Sequence, residues 1–563
     1  MTGTAPEHRR WVVINATSAI VAILLVCTIF ADFGVTWDEP YHEAYGSHLL
    51  DYYATLGSVR DALSYHNLWL YGGAFDLPVA IIKRIVPLGS YETAHLASAL
   101  TGLMGAFGAA RIAGLISGPR AGWIAGILLL ATPSWFGHMF FNPKDIPFGA
   151  GMTWTLYYAI CFLRDAPNVG RRGVVGLGVA LGLTLGVRIS GVFALIYIAL
   201  GVAAWIAWRS RVATARSAVI DGLLLGTTRL LPALAIAYCA MVAVWPWAQQ
   251  SPIIRPFQAL TTFANSPWDL DVLLAGKVVN SLHLPVSYLP IYFAVKLPEF
   301  IIAFLPLGAW AMFGRISAGW RLSDWRLIAP AMMLVLAVAF PFLFFAAFRP
   351  VTYDGIRHFL FVLPPIAAVA ACGIDGALSR LAPMPYFART LRIALGGALA
   401  WQAVVMVRLH PDQYVYYNAL AGGVGGAAGR YELDYWGNSY REAVERLVEL
   451  VASEGRGEAN SGPYRVMVCS AGTSAAYFFP PSLNLARSEY EADFYIASTR
   501  LGCDEEYDGD IIAAVRRDGA TLSVVKDRRG LRASAPERLG SRLAHRAPER
   551  QHPGLPAAGG RTP

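Results

Sequence analysis

Charge is scarce in this chain. Asp, Glu, Lys and Arg make up 15% of its 563 residues, where a soluble globular domain carries about 25%. The hydrophobic share is 55% and the mean hydropathy +0.44, which excludes an ordinary water-soluble enzyme and points to a bilayer. Cysteine is scarce too, at six residues. Cys27, Cys161, Cys239 and Cys372 lie in apolar runs and read as packing residues. No CxxC or zinc-ligand spacing exists. Cys469 and Cys503 fall in a polar C-terminal region and could pair if that region lies outside the cytosol. No internal repeat is visible. The net charge of +8 does not gather into a phosphate-binding face. Basic residues punctuate apolar spans and fill the C-terminal tail, so they read as topology signals, and nucleic acid is not an expected partner.

What is present is a series of apolar runs. The first, Trp11–Ala31, contains no charge and follows Arg9 and Arg10. It is long enough to cross ~30 Å of hydrocarbon and reads as a signal anchor with its N-terminus inside. Ten further spans are expected at about 92–110, 121–141, 146–163, 173–187, 191–208, 229–248, 297–314, 328–348, 359–378 and 393–408. The isoleucine-rich 77–88 segment, interrupted by Lys83 and Arg84, reads as an interfacial or re-entrant helix. Alternate loops are arginine-rich, and the opposite set, 32–91, 142–145, 188–190, 249–296 and 349–358, is richer in Asp, Glu, His, Trp and Tyr. By the positive-inside rule this predicts a multi-pass cell-membrane protein with eleven helices, a cytoplasmic N-terminus and an outside C-terminus. The long loops 32–91 and 249–296 read as interfacial segments.

The character changes near residue 409. An amphipathic helix is expected over Tyr431–Ala452, and short strands over Tyr464–Cys469, Asp493–Ser498 and Thr521–Val525. The predicted organisation is a membrane domain (1–408), a small extracytoplasmic α/β domain (409–527) and a basic, disordered tail (528–563).

Three polar motifs stand out on the predicted outer face. Trp37-Asp38-Glu39-Pro40-Tyr41-His42 follows the first span. Carboxylates at an apolar boundary lose solvation, which raises their pKa and suits a general base; a paired acid raises it further. The plainer reading is a solvated loop start. His42 and Glu43 lie one turn on, a spacing that could hold a divalent metal with Asp38. Asn142-Pro143-Lys144-Asp145-Ile146-Pro147 joins two spans with almost no loop. Burying such a pair is expensive, which marks it as functional by default; Lys144 could hold a phosphate. A self-neutralising helix cap is the alternative. Tyr353-Asp354-Gly355-Ile356-Arg357-His358 precedes another span. Arg357 and His358 would form an anion site at a helix N-terminus, or an interfacial anchor. Leu363-Pro364-Pro365 is expected to break that helix in its second turn. Arg188 is the one further charge comparably embedded, at the outer end of two short spans.

With these residues in order, the chain resembles the GT-C superfamily of polyprenyl-phosphate-sugar-dependent glycosyltransferases. It looks most like the group holding the protein O-mannosyltransferases and the lipid A aminoarabinose transferase. The resemblance covers roughly 10–440 and rests on Asp38-Glu39, Asp145-Ile146-Pro147, Arg357-His358 to Leu363-Pro364, and Tyr416-Tyr417-Asn418 through Tyr431–Gly437. It implies a GT-C-like helical fold and inverting transfer of a sugar from a polyprenyl-phosphate donor to an acceptor hydroxyl on the outer face. Asp38 would be the base, with Glu39 in support and Asp145 as second acid. Lys144, Arg357 and His358 would bind the donor phosphate, with Tyr41, His42, Tyr353 and Arg188 in the cavity. Membrane lipids are partners, and the acceptor class (protein, glycolipid or glycan) stays open, as does a divalent metal, which some relatives bind and others do not. Where some relatives carry a Lys-rich phosphate motif, this chain has Tyr71-Gly72-Gly73-Ala74-Phe75-Asp76. The competing readings are a polytopic transporter, which would place charge near the midplane, and a non-catalytic membrane assembly protein.

Overall fold

The computed structural model describes residues 5–264, 268–454 and 463–532. Every apolar run named above is helical. Among the described residues, nine helices are long and apolar enough to cross a membrane: Arg9–Asp32, Ser90–Ser117, Asp145–Arg164, Ile189–Val212, Ala215–Ala243, Glu299–Leu322, Trp325–Phe348, Arg357–Arg380 and Pro385–Leu409. Pro119–Leu130 and Pro133–Phe141 are together long and apolar enough for a broken span or a re-entrant pair and are bent by 67°, because Pro133 cannot continue the helix before it. Arg171–Val187, at 17 residues, is the shortest of the eleven segments and matches one full bilayer crossing only narrowly.

Burial sorts these helices. Leu363–Arg380 is almost wholly enclosed, built of Ala, Val, Ile, Gly and Cys that allow close packing. The first span and Pro385–Leu409 lie at the periphery with most side chains exposed. The arginine-rich ends meet one another at the end away from the polar motifs. There Arg120 donates to Asp375 (2.6 Å) and to the Ser379 hydroxyl (2.8 Å), and Arg209 to Asp221 (2.8 Å).

The long loops are structured. Segment 32–91 carries the helix Glu39–Ala54 and the short helix Asp76–Lys83. Segment 249–296 holds the amphipathic helix Ile254–Ala264, whose Ile254 and Phe257 are exposed, and the helix Tyr288–Lys296. It also holds a hairpin that sequence reading did not anticipate, Asp271–Leu274 paired with Lys277–Asn280. Its turn residues Ala275 and Gly276 both have positive φ, the geometry of a two-residue hairpin loop.

The C-terminal domain is a five-stranded sheet in the order Leu483–Leu485, Tyr464–Val468, Phe494–Ser498, Ala520–Asp527, Asp510–Arg517. The first three strands are parallel and the last two close an antiparallel hairpin. Ala443, Val444 and Leu447 of the helix Tyr440–Ser453 pack on the sheet with Val466, Phe494, Ile496 and Val525. The expected helix start at Tyr431 is corrected to Tyr440. Residues 431–439 form a loop through Gly437 (φ +74°), which points Tyr435 and Trp436 into the membrane domain. Cys469 and Cys503 form a disulfide. Of the expected tail, residues 529–532 form a helical turn whose Arg529 pairs with Glu454 (2.6 Å); residues 533–563 lie outside the described residues.

This domain sits on the membrane domain through the stretch after the first span. Gly34 N–H donates to Asn438 Oδ1 (2.9 Å), Trp37 N–H to the Trp436 carbonyl (3.3 Å), and Ser474 to the Thr36 carbonyl (3.0 Å). A Cβ at position 34 would fall on the Asn438 carbonyl. Overpacking of this kind costs roughly 1–3 kcal/mol. Gly34→Ala should therefore lower the thermal midpoint of the purified protein and speed proteolysis between the two domains, which a melting curve with limited digestion will read.

Candidate active site

Most of the sequence-nominated charges converge at one end of the helical bundle, beneath the C-terminal domain. The centre is Arg357, whose side chain is 2% exposed. Its NH1 lies 3.4 Å from Asp38 Oδ2 and 3.5 Å from Asp354 Oδ2, and its Nε lies 3.9 Å from Asp145 Oδ2. The guanidinium lies over the rings of both Trp436 (4.7 Å) and Tyr353 (5.0 Å), a planar cation against two π-systems. Around it, Lys144 Nζ meets Asp38 Oδ2 at 2.9 Å and Arg188 NH1 meets Asp145 Oδ1 at 2.5 Å. Arg500, from the C-terminal domain, meets Asp354 Oδ1 at 2.6 Å. Three carboxylates thus face four cations, one formal positive charge in excess. Nε of Arg188, Arg357 and Arg500 are buried with no hydrogen-bond partner among the described residues. Buried donors left unsatisfied call for an explanation, and an anion entering the cluster would supply one.

Local structure places each group. Asn142 Oδ1 accepts from Asp145 N–H (2.8 Å) and Lys144 N–H (3.3 Å). Asn142 is thus the side chain that caps Asp145–Arg164, so the cap reading of Asp145 is corrected: its carboxylate is free to face Arg188 and Arg357. The sequence Tyr71-Gly72-Gly73 runs against the end of Arg171–Val187. Gly73 N–H donates to the Val244 carbonyl (2.8 Å) and Ala74 N–H to the Gly186 carbonyl (3.1 Å). A Cβ on Gly72 would strike Gly186, so only glycine lets this strap approach and fix Arg188. Tyr71 itself lies beside Lys144, whose ammonium is 5.8 Å from the ring centroid. The expected break at Leu363-Pro364-Pro365 is also corrected. Arg357–Val362 is a 3-10 turn and the α-helix begins at Leu363, so the prolines occupy the first turn, where a missing N–H costs nothing.

The nominated residues divide in two. Asp38, Lys144, Asp145, Arg188, Tyr353 and Arg357 share the cluster, and His358 joins it as an acceptor from Arg357 NH2 (3.1 Å). Glu39 turns away: its carboxylate accepts from Thr36 N–H (2.6 Å) and Thr36 hydroxyl (2.9 Å) and faces His95 Nε2 at 2.7 Å. It therefore braces the turn that presents Asp38. His42 faces Asp76 through Nδ1 (3.1 Å), and Tyr41 is 40% exposed against His66. A divalent ion does not fit Asp38 and His42, since the Asp38 carboxylate already faces two cations. Among the described residues the one grouping of metal-ligand type is Cys469, Cys503 and Glu506, whose thiols are joined. Sequence reading missed Asp354, Trp436, His95, Asp76 and Arg500. Asp354, Asp76 and Trp436 had a local signal, standing inside the motifs 353–358, 71–76 and 431–437.

The expected rise of the Asp38 pKa is also corrected. Burial does push the carboxyl up, but Lys144 and Arg357 outweigh it and hold the group at about 2. Burial alone would pull Lys144 down, but the attractions of Asp38, Tyr71 and Asp145 together outweigh it and hold the ammonium above its ordinary value.

Three solved structures are similar to this chain at low identity. ArnT from Cupriavidus metallidurans bound to undecaprenyl phosphate is similar over 92% of this chain and 98% of its own, at 18% identity and a TM-score of 0.46. The oligosaccharyltransferase AglB of Archaeoglobus fulgidus, in complex with an inhibitory peptide and a dolichol-phosphate, is similar over 86% of this chain and 69% of its own (12%, 0.45). The arabinofuranosyltransferase AftD from Mycobacteria is similar over 92% of this chain and 41% of its own (14%, 0.42). No protein-family model and no curated protein matches the sequence.

Removing one partner from a buried ion pair costs about 3–5 kcal/mol, because the survivor stays desolvated. Arg188→Ala should destabilise the protein on that scale, and Arg188→Ala with Asp145→Asn should be less destabilised than the single variant. Thermal or denaturant unfolding of the two variants checks it. The sign for Asp38 follows from its lowered pKa: its contribution to stability is present above the ordinary carboxylate value of 3.8 and is lost as pH falls from there towards about 2.

Proposed function

We propose that this protein is a membrane glycosyltransferase of GT-C type. It would move a sugar from a polyprenyl-phosphate donor to an acceptor hydroxyl on the extracytoplasmic face, with inversion. The observation that carries the reading is the cluster of four cations around the buried Asp145 and Asp354 and the part-buried Asp38 at the bilayer boundary, with three guanidinium nitrogens unsatisfied. A donor whose phosphate sits at the membrane surface and whose isoprenoid tail lies among helices needs such a site. The extracytoplasmic placement is supported by the arginine-rich far ends and by the Cys469–Cys503 disulfide on the cluster's side, since disulfides persist in oxidising compartments.

In this reading the acceptor oxygen attacks the anomeric carbon as the carbon–phosphate oxygen bond breaks. The hydroxyl proton passes to Asp38, and the bonding electrons leave with the polyprenyl phosphate, whose charge grows from one negative to two. Lys144 and Arg357 stabilise that growth, as preorganised cations do in a site shielded from water. Arg188 and Asp145 hold Arg357 in place. The resting pKa of Asp38 has a mechanistic use here. Bound phosphate draws Lys144 and Arg357 towards itself, the two cations that hold Asp38 down, so the carboxylate becomes a stronger base when the donor is in place.

Two measurements test this. With purified protein and polyprenyl-phosphate sugars, Asp38→Asn should lower kcat about 10²–10⁴-fold, the usual worth of a general base, while donor-lipid affinity is kept. Lys144→Ala should instead weaken donor binding. Full transfer by Asp38→Asn would sink the base assignment, and absence of donor binding by the wild type would sink the reading. Comparing cell-envelope glycans with and without the protein by mass spectrometry then names sugar and acceptor. For pH, the Asp38 limb of kcat/KM, which reports the free enzyme, should lie near pH 2. The corresponding limb of kcat should sit higher, because the donor complex has a more basic Asp38.

A further inference from the structure

Arg500 belongs to the C-terminal domain, more than 140 residues along the chain from Asp354, yet its side chain is only 9% exposed. NH2 reaches Asp354 Oδ1 at 2.6 Å, NH1 donates to the Tyr435 carbonyl at 3.1 Å, and the guanidinium lies 4.8 Å from the Trp37 ring, next in sequence to Asp38. The loop that carries it is tied at both ends. Thr499 N–H donates to the Leu522 carbonyl (3.2 Å). After the left-handed Leu501 and Gly502, Cys503 is joined to Cys469 and its carbonyl accepts from Tyr495 (2.8 Å). A non-glycine residue in that region persists only where its surroundings hold it.

Asp354, 1% exposed, divides its carboxylate between two cations. Oδ1 faces Arg500 and Oδ2 faces Arg357 NH1 at 3.5 Å. Without Arg500, the buried Asp354 charge would fall wholly on Arg357 and draw it from Asp38 and Asp145. We infer that Arg500 is a positioning residue for the charged cluster: by holding Asp354 it sets the place of Arg357, so that the C-terminal domain, with its disulfide-tied loop, completes the anion site. The identity of the anion as a donor phosphate rests on the glycosyltransferase reading; the positioning of Arg357 does not.

The test uses full-length protein in lipid nanodiscs with undecaprenyl phosphate as probe, reading probe Kd and amide hydrogen exchange over residues 352–359. Arg500→Ala should raise Kd about tenfold, within the range of coupling between contacting residues, and speed exchange in that segment. Arg500→Lys, which keeps the charge and loses the fork, should recover part of both and serves if Arg500→Ala does not fold. In an Asp354→Asn background Arg500→Ala should change Kd less than about twofold, since the carboxylate it restrains is gone. A folded Arg500→Ala protein with wild-type exchange and Kd overturns the inference, as does an undiminished effect in the Asp354→Asn background. If wild-type protein does not bind the probe, the glycosyltransferase reading falls, and the exchange comparison alone decides the role of Arg500.

Discussion

The structure depends on one guanidinium kept out of water. Arg357 is shared by Asp38, Asp145 and Asp354, carboxylates from three separate stretches of chain, and lies against the rings of Trp436 and Tyr353. A lone buried charge would be prohibitive, so each carboxylate must be present for the arginine to be tolerated, and the arginine for the carboxylates. That mutual requirement joins the end of the first span, the 142–145 link, the 349–358 link and the C-terminal domain.

The remaining polar groups support this arrangement one layer out. Glu39 holds the Thr36 turn, Asn142 caps the helix that begins at Asp145, and the glycine strap at 72–73 pins the end of the helix before Arg188. Groups that hold a site rigid do for catalysis what direct contacts alone cannot, because charge stabilisation depends on donors already in place.

Much of this was legible in the sequence, for a physical reason. Ionisable residues beside apolar spans are costly, so Asp38, Lys144, Asp145, Arg188 and Arg357 announce themselves by position alone, and their common face follows from loop charge. The nine long apolar helices among the described residues follow from apolar length. Arg500 carried no such signal, since it lies in an ordinary polar domain and gains its place through tertiary contact. The direction of the Asp38 pKa was missed because desolvation can be read locally, whereas the cations that overrule it come from residues 144 and 357. The 431–439 segment misled because its apolar and acidic residues mimic a helical face, yet they are spent on contacts with the membrane domain, with Glu432 accepting from Leu273 N–H, Tyr435 paired with His138 and Trp436 lying against Arg357.

The pairing of Arg500 with Asp354 also has a biosynthetic side. Ribosomes add roughly 5–20 residues per second, and domains form in the order they emerge. Asp38, Asp145, Arg188 and Arg357 are therefore delivered to the membrane before Arg500 exists, and the cluster must first assemble as a three-cation, three-carboxylate, electrically neutral set. The last cation arrives only with the C-terminal domain. A chain stopped before residue 500 would thus carry a neutral cluster, and the positive excess is a property that only a chain extended past that point can acquire.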